Sequence, residues 1–231
     1  MKLKLLTLLL AASALTAACS DDEDNGTGPT GQARVRVVHA SPDAPAVDVL
    51  VDDAVALSNV SYLAASNYLE LADGGHNVNV NAAGTSTTVI DADVDLADGT
   101  DYTVIASGLL DAIAPIVLTD DNSTPPTGTA RVRAIHGAPS APAVDVYVTA
   151  PDADLETASP VLSNVAFGDV ADYLEVPAGD YQVRVTPAGS KTVVIDSGAL
   201  ALASGQVRTA IAVDAAGGGA PFDLLVLQDV N

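Results

Sequence analysis

One stretch of the chain occurs twice, first as Ala33-Arg-Val-Arg-Val-Val-His-Ala-Ser-Pro-Asp-Ala-Pro-Ala-Val-Asp-Val-Leu-Val51 and again as Ala130-Arg-Val-Arg-Ala-Ile-His-Gly-Ala-Pro-Ser-Ala-Pro-Ala-Val-Asp-Val-Tyr-Val148. A second matching block begins at Leu57-Ser-Asn-Val and returns at Leu162-Ser-Asn-Val. Because internal repetition is the signature of duplicated units, the sequence predicts two copies of one domain.

The spacing of the repeats defines the predicted domain boundaries. The copies are offset by 97 residues in the first block and by 105 in the second, so repeat two carries a longer loop near residues 150–158. A charged stretch rich in proline and glycine, residues 120–128, separates the copies and is typical of a linker. We therefore expect one domain over residues 33–119 and a second over residues 129–231, arranged in series and able to fold separately.

Each repeat has the pattern of short strands. Arg34 to Val37 alternate strictly between charged and apolar residues, which predicts a sheet with one wet face. The two prolines between Ser41 and Pro45 predict a turn, and Val47 to Val51 a second strand. In repeat two, further strands are predicted on either side of a tight turn within 173–185, and at 191–196, 207–213 and 222–227. About seven strands per repeat, with no convincing amphipathic helix, predict two tandem antiparallel β-sandwich domains of immunoglobulin-like kind, in an all-β chain.

The repeated phrases also resemble a known family. His39 to Val49, His136 to Val146 and the later Tyr173-Leu-Glu-Val-Pro-Ala-Gly-Asp-Tyr181 are similar to motifs of the bacterial domain-of-unknown-function family numbered 4397. The resemblance covers both repeats. It implies a β-sandwich fold and a cell-envelope setting, and it brings no catalytic residues.

Residues 1–18 have the order of a secretory signal peptide. Lys2 and Lys4 precede an apolar run that ends in Ala17-Ala18, and the 14 residues from Leu5 to Ala18 are too few for a bilayer-spanning helix, which needs about 20. A membrane-anchor helix is the alternative. Leu15-Thr-Ala-Ala-Cys19 resembles the bacterial lipobox, which implies lipidation of the Cys19 thiol, cleavage before it, and membrane attachment through the lipid.

Residues 19–32 are predicted to form a disordered acidic tether, because they carry many like charges and show no hydrophobic periodicity. The acidic run Ser20 to Asp24 is open to two interpretations. In one interpretation, it only keeps the tether solvated. In the other, it resembles a signal that exports lipoproteins to the outer face of the outer membrane. We expect a lipid-anchored protein of the cell envelope, at the outer membrane and exposed on the cell surface if the second interpretation holds.

Composition excludes several classes of function. The chain has 30 acidic and 9 basic residues, and removal of Lys2 and Lys4 leaves a charge of −23, which disfavours nucleic acid and anionic lipid surfaces as partners. A single cysteine excludes a disulfide framework and cysteine-rich metal sites. The sequence contains no nucleotide-binding or nucleophile motif, and we predict no cofactor, no metal ion and no enzymatic activity.

His39 and His136 are the first candidate site residues, since both end the first strand of their repeat just before the proline turn. Each could pair with Asp48 or Asp145 and bind a metal ion or act as a base. Each could instead hydrogen-bond the adjoining turn as part of a structural motif that includes Asp48 and Asp145. The absence of a second histidine or cysteine in the motif favours the structural role.

Two other patterns have competing interpretations. Asp91, Asp93 and Asp95 suggest a calcium loop, but Leu96 and Tyr102 stand where glycine and glutamate are needed, which favours a solvated strand face. His76 aligns with Tyr181, so we predict that this position needs a planar ring with a polar tip.

The expected function is a non-catalytic surface-binding or structural module of the adhesion or matrix type. The alternatives are an accessory subunit of an envelope complex and a polysaccharide-binding module. An exposed row of Tyr62, Tyr68 and Tyr102 would favour the polysaccharide-binding module, since the chain has no tryptophan.

Overall fold

The computed structural model describes residues 31–229. The predicted signal peptide, Cys19 and nearly all of the predicted tether lie outside the described residues. The described part forms these strands: β1 Gln32–Ala40, β2 Val47–Val51, β3 Ala54–Val60, β4 Leu69–Ala72, β5 Gly74–Ala82, β6 Thr88–Leu96, β7 Asp101–Ser107, β8 Ala114–Asp120, β9 Thr129–His136, β10 Val144–Thr149, β11 Leu162–Val165, β12 Leu174–Pro177, β13 Gly179–Pro187, β14 Ile195–Leu202, β15 Val207–Val213 and β16 Asp223–Gln228. Two 3₁₀ turns, Leu110–Ala112 and Leu155–Thr157, complete the regular structure. No helix among residues 31–229 has the length and apolar character needed to cross a membrane.

The strands form four sheets, two in each repeat. Sheet A has the order β4-β1-β7-β8 and sheet B the order β3-β2-β5-β6; both belong to the first repeat, here called domain 1. Sheets C (β12-β9-β15-β16) and D (β11-β10-β13-β14) form the second repeat, domain 2. The predicted all-β class with tandem sandwich domains is confirmed.

The proline turn after β1 carries the chain from one sheet to the other. Because β2 lies in sheet B, it does not pair with β1 in sheet A. The neighbours of β1 therefore come from later in the domain 1 sequence. Strand β1 pairs in parallel with β7, and β9 pairs in parallel with β15. The other strand pairings within residues 31–229 are antiparallel, as predicted.

The predicted strand positions agree with the structure in most places. Val207–Val213 matches β15, and the pair around 173–185 matches β12 and β13. The strand predicted at 191–196 is wrong, since β14 begins at Ile195 after a turn in which the Thr186 hydroxyl donates to the Ser190 carbonyl. The short strands β3 and β11 were not predicted and raise the number of strands to eight per domain.

Each sandwich has its own valine-rich core. In domain 1, Val37 of sheet A packs with Val47, Val49 and Val80 of sheet B. In domain 2, Val144, Val146 and Val185 of sheet D pack with Ala212 of sheet C. These are the inward positions of alternating strands, as expected where each sheet buries one face.

A third apolar core lies between the domains. Val38, Ile105 and Leu118 of sheet A pack against Ile135, Ile211 and Leu227 of sheet C, and all six are buried. The sheets therefore stack in the order B, A, C, D. The domains do not follow one another in series, as the sequence suggested, but pack face to face, because the outward face of sheets A and C carries apolar residues as well as arginines.

The longer loop of repeat two packs on the outer face of sheet D. Leu155 is buried there, and Tyr147 beneath it is 2% exposed. The Lys191 ammonium group donates to the carbonyl oxygens of Leu155 (2.8 Å) and Ala158 (2.6 Å) and lies 4.5 Å from the Tyr147 ring centroid. The corresponding face of sheet B has no such cover and carries exposed aspartates.

Candidate functional site

The two repeated histidines hold the proline turns. His39 is fully buried, its Nε2 lies 3.0 Å from the Pro45 carbonyl oxygen, and its Nδ1 accepts a hydrogen bond of 3.3 Å from the Ser41 backbone N–H. His136 makes the corresponding contacts in domain 2, at 3.1 and 3.4 Å. A neutral imidazole protonated on Nε2 satisfies both contacts. Burial lowers the pKa of His39, and the contact with the Pro45 carbonyl partly offsets this effect.

The two repeated aspartates hold loops of their own. Asp48 accepts hydrogen bonds from the backbone N–H groups of Asn59 (2.7 Å) and Gly84 (2.9 Å), both of which have positive φ. Asp145 accepts the corresponding pair in domain 2 at 2.8 Å each. The N–H groups of Gly84 and Asn59 lower the pKa of Asp48. Within residues 31–229 neither buried histidine is hydrogen-bonded to Asp48 or Asp145, so the structure does not bring the predicted His–Asp pair together.

The aspartate run on β6 forms an exposed strand face. Asp91, Asp93 and Asp95 all point outward, and the Asn77 side-chain amide donates to Asp91 (2.9 Å) and Asp93 (3.0 Å). In the described part of the chain, no group of three histidine, cysteine, aspartate or glutamate side chains is arranged to hold a metal ion.

The position shared by His76 and Tyr181 uses a ring with a polar tip, which confirms the prediction. His76 Nε2 lies 2.9 Å from the Ala72 carbonyl oxygen, and the Tyr181 hydroxyl donates to the Pro177 carbonyl at 2.8 Å. His76 also contacts Asp52, and this contact, followed by the one to Ala72, raises the pKa of the ring.

The main polar cluster of the molecule lies between the domains and was not predicted. Arg36 and Arg133 project from the face expected to be wet, yet their side chains are only 4% and 3% exposed. Arg36 Nη2 donates to Asp229 at 2.6 Å, and Arg133 Nη2 donates to Asp120 at 2.5 Å. Each arginine thus pairs with a carboxylate of the other domain, and the four charges balance.

Hydroxyl groups complete each half of this cluster. Thr103 Oγ1 accepts from Arg36 (2.9 Å) and donates to Asp120 (2.6 Å), and the Tyr68 hydroxyl donates to the same carboxylate oxygen at 2.6 Å. The Tyr68 ring centroid lies 4.9 Å from the Arg36 guanidinium carbon. Burial raises the pKa of Tyr68, so the phenol stays protonated and can donate.

Domain 2 repeats these contacts. Thr209 accepts from Arg133 at 3.0 Å and donates to Asp229 at 2.8 Å, and the Tyr173 ring lies 4.6 Å from the Arg133 guanidinium carbon. Burial raises the pKa of Tyr173 to about 12. Buried charges are tolerated where pairing and hydrogen bonds offset them. One difference remains between the two halves, since Arg36 Nε donates to Thr103 at 3.2 Å whereas Arg133 Nε is buried without a partner among residues 31–229. The repeated Arg-x-Arg in a chain with 9 basic residues was the sequence signal for this cluster.

An open groove lies beside the cluster, at the edge of the domain interface. It has a volume of about 460 Å³ and runs between Ala65–Glu70 of domain 1 and Val226–Gln228 of domain 2. Its polar lining consists of Arg34, Arg36, Ser66, Asn67, Tyr68, Glu70 and Gln228. The groove lies between two domains, a position where ligand sites often form.

Arg34 leaves part of its hydrogen-bonding capacity open in this groove. Its Nε and Nη2 atoms donate to Asp101 at 2.6 and 2.5 Å, and 41% of the side chain is exposed. No residue between 31 and 229 accepts a hydrogen bond from Arg34 Nη1.

The corresponding arginine of domain 2 is covered by the linker between the domains. Arg131 Nη1 donates to the carbonyl oxygens of Asp121 (3.3 Å) and Ser123 (3.1 Å) and to the Ser123 hydroxyl (3.0 Å). Only 10% of the Arg131 side chain is exposed. The chain itself therefore places a peptide segment, bent at Ser123, against Arg131, at the nitrogen that stays open in Arg34.

The tyrosines named in the polysaccharide hypothesis do not form an exposed row. Tyr62 donates to the Asp214 carbonyl oxygen of domain 2, Tyr68 belongs to the buried cluster, and Tyr102 packs inside the domain 1 sandwich. The condition that would have favoured that hypothesis is not met.

The profile of a family described as "Domain of unknown function (DUF4397)" matches residues 10–147 and 148–231. The chain belongs to the DUF4397 family. The division between the two matched DUF4397 segments falls inside β10, whereas the sheets change from domain 1 to domain 2 between β8 and β9. No curated protein matches the chain.

Two similar solved structures have low TM-scores against this chain. A streptococcal virulence factor described as binding α-glucan shares 11% identity over 78% of this chain and 92% of that chain, with a TM-score of 0.25. A leucine-rich repeat protein from Bacteroides thetaiotaomicron shares 13% identity over 82% of this chain and 27% of that one, with a TM-score of 0.19. Neither likeness supports a function for this DUF4397 chain.

Proposed function

We propose that the protein is a non-catalytic binding module of the cell envelope, anchored by lipid on Cys19, that binds a peptide segment of a partner protein in the groove between its domains. One observation carries the proposal. The groove beside Arg34 is open, whereas the chain's own linker lies against its counterpart Arg131.

The lining of the groove suits a peptide. Arg34 and Gln228 can donate to peptide carbonyl groups, and Ser66, Asn67 and Glu70 can accept from peptide N–H groups. An unpaired buried carbonyl or N–H group is costly, so a groove with both donors and acceptors favours a ligand that presents both.

The charge of the site indicates which peptides fit. Asp101 already neutralises Arg34, and the chain carries a formal charge of −21. Val207 stands where Asp101 stands in domain 1, and Arg131 pairs instead with Glu175 at 3.1 Å and with Asp121 of the linker at 2.8 Å. We therefore expect the open groove to prefer a neutral peptide over an acidic one.

The test uses the soluble Cys19→Ala chain and a fluorescent peptide with the sequence of residues 121–128, together with the same peptide carrying asparagine in place of its aspartate. We expect both peptides to bind, the neutral one more tightly. Arg34→Gln should weaken binding of the neutral peptide by about tenfold, as for the loss of one hydrogen bond to a charged group. Fluorescence anisotropy measures both affinities.

The matched control is Arg131→Gln, which alters the counterpart that the linker already covers. This variant should bind the peptides like the parent chain. Failure of either peptide to bind, or equal losses in both arginine variants, would show that the groove is not a peptide site. The alternative role as an accessory subunit of an envelope complex would use the same groove, with a fixed partner protein supplying the peptide.

A further inference from the structure

The two domains contact each other through the same surface. Arg36 and Asp120 of domain 1 correspond in position to Arg133 and Asp229 of domain 2, and each arginine pairs with the carboxylate of the other domain. The backbone contacts are reciprocal as well, since both arginines also donate from Nη1 at 3.2 Å to a carbonyl oxygen just before the facing aspartate. This is the geometry of an isologous interface, in which one patch meets a copy of itself.

We propose that this face, the outward surface of sheets A and C, is self-complementary in each domain, so that a second copy of the chain can take the place of the covalent neighbour. A domain 1 face meeting another domain 1 face would pair Arg36 of one chain with Asp120 of the other. Two domain 2 faces would pair Arg133 with Asp229. Thr103 and Tyr68, or Thr209 and Tyr173, would brace the same pairs as they do within one chain.

The apolar part of the face supports the same exchange. Val38, Ile105 and Leu118 are matched by Ile135, Ile211 and Leu227, so either set can pack against its own kind with nearly the same volume. The face presents both charges and an apolar centre, which is the composition of an interface between copies. Within one chain the linker keeps the two domains close, so pairing in the chain outcompetes pairing between chains.

Reversing the charges of one face alone tests the proposal in the full chain. In the double variant Arg133→Asp, Asp229→Arg, like charges meet across the interface within a chain. Pairing between two chains restores opposite charges at both kinds of face. We expect the double variant to have twice the molecular mass of the wild type by light scattering, with the β-sheet circular dichroism spectrum retained.

The matched control reverses both faces. Adding Arg36→Asp and Asp120→Arg restores opposite charges within one chain, and this quadruple variant should return to the mass of the wild type. The reciprocal double variant, Arg36→Asp with Asp120→Arg, should pair between chains like the first.

Two results would overturn the proposal. One is a folded double variant that stays monomeric, or a quadruple variant that stays paired. The other is loss of β structure in both double variants while the quadruple variant folds, because pairing between chains should have restored the same contacts. Peptide binding beside Arg34 does not require this exchange, so the two proposals fail independently.

Discussion

A neutral histidine suits the end of β1 because it supplies one donor and one acceptor in a fixed geometry. The proline turn leaves the Pro45 carbonyl and the Ser41 N–H facing a fully buried position, and the His39 ring satisfies both. Lysine or arginine would bring donors alone, and leucine would leave both backbone groups unpaired. The chemistry of the turn therefore explains why the same residue stands in both repeats.

This role makes stability depend on pH in a defined direction. Burial lowers the pKa of His39 from its ordinary value of 6.5, so below pH 6.5 the unfolded chain takes up a proton that the folded chain resists. The stabilisation from His39 is complete above pH 6.5 and declines as the pH falls. We expect His39→Asn to lower the free energy of unfolding by about 1–3 kcal/mol at pH 7.5 and to make its decline between pH 7 and pH 5 shallower.

Urea denaturation across this pH range measures both effects. The control is His76→Tyr, which places the tyrosine of repeat two at the corresponding position of domain 1, where the His76 side chain is 11% exposed. The pKa of His76 is raised, chiefly by Asp52, so its contribution has the opposite sign and is lost as the pH rises. In His76→Tyr, the free energy of unfolding should still decline as the pH falls from 7 to 5. If His39→Asn showed the same decline as the wild type, the proposed contribution of His39 to stability would be contradicted.

At the scale of elements, the two outer sheets differ because one loop is longer. The segment 150–161 lies on sheet D and is held by Lys191 and Arg184, whose Nη2 donates to the Ala153 carbonyl at 2.7 Å. Domain 1 has Ser86 and Asn79 at the corresponding positions, and its outer sheet stays open. The longer loop of repeat two therefore covers a sheet face that stays open in repeat one.

Lys191→Met tests what holds this loop. The methionine keeps the apolar stem but removes two hydrogen bonds and the charge above Tyr147, so we expect a loss of about 1–3 kcal/mol in unfolding free energy. The segment 150–161 should become the first site of protease cleavage, read by mass spectrometry. Ser86→Ala, the matched change on the open sheet, should alter neither quantity, and a protease-resistant loop in Lys191→Met would refute this role.

At the scale of the whole molecule, we propose that the sequence before the described residues directs the protein to a membrane. The lipobox-like run before Cys19 predicts attachment through the thiol, the single cysteine of the chain. Metabolic labelling with an alkyne fatty acid in a bacterial host should tag the wild-type chain and leave Cys19→Ala untagged. Equal labelling of the two chains would refute the lipid anchor.

The duplication, the all-β class and most strand positions could be predicted from the sequence, which also favoured a structural role for the two buried histidines over a metal-binding one. These features follow from local alternation, from prolines and from repetition, all of which are visible along the chain. The Arg-Val-Arg-Val pattern correctly predicts a strand, but its prediction of a wet face is wrong at Arg36, which is buried.

The burial of this face follows from the packing of the two domains and not from the local sequence. An alternating strand has the same sequence whether its charged side meets water or a matching set of charges. The carboxylate that meets Arg36 lies 193 residues away, and nothing in the local pattern links the two. The groove beside Arg34 depends on the same packing, because its walls come from both domains. Charges buried between the sheets need partners from across the interface, and the positions of those partners exist only once both domains have folded.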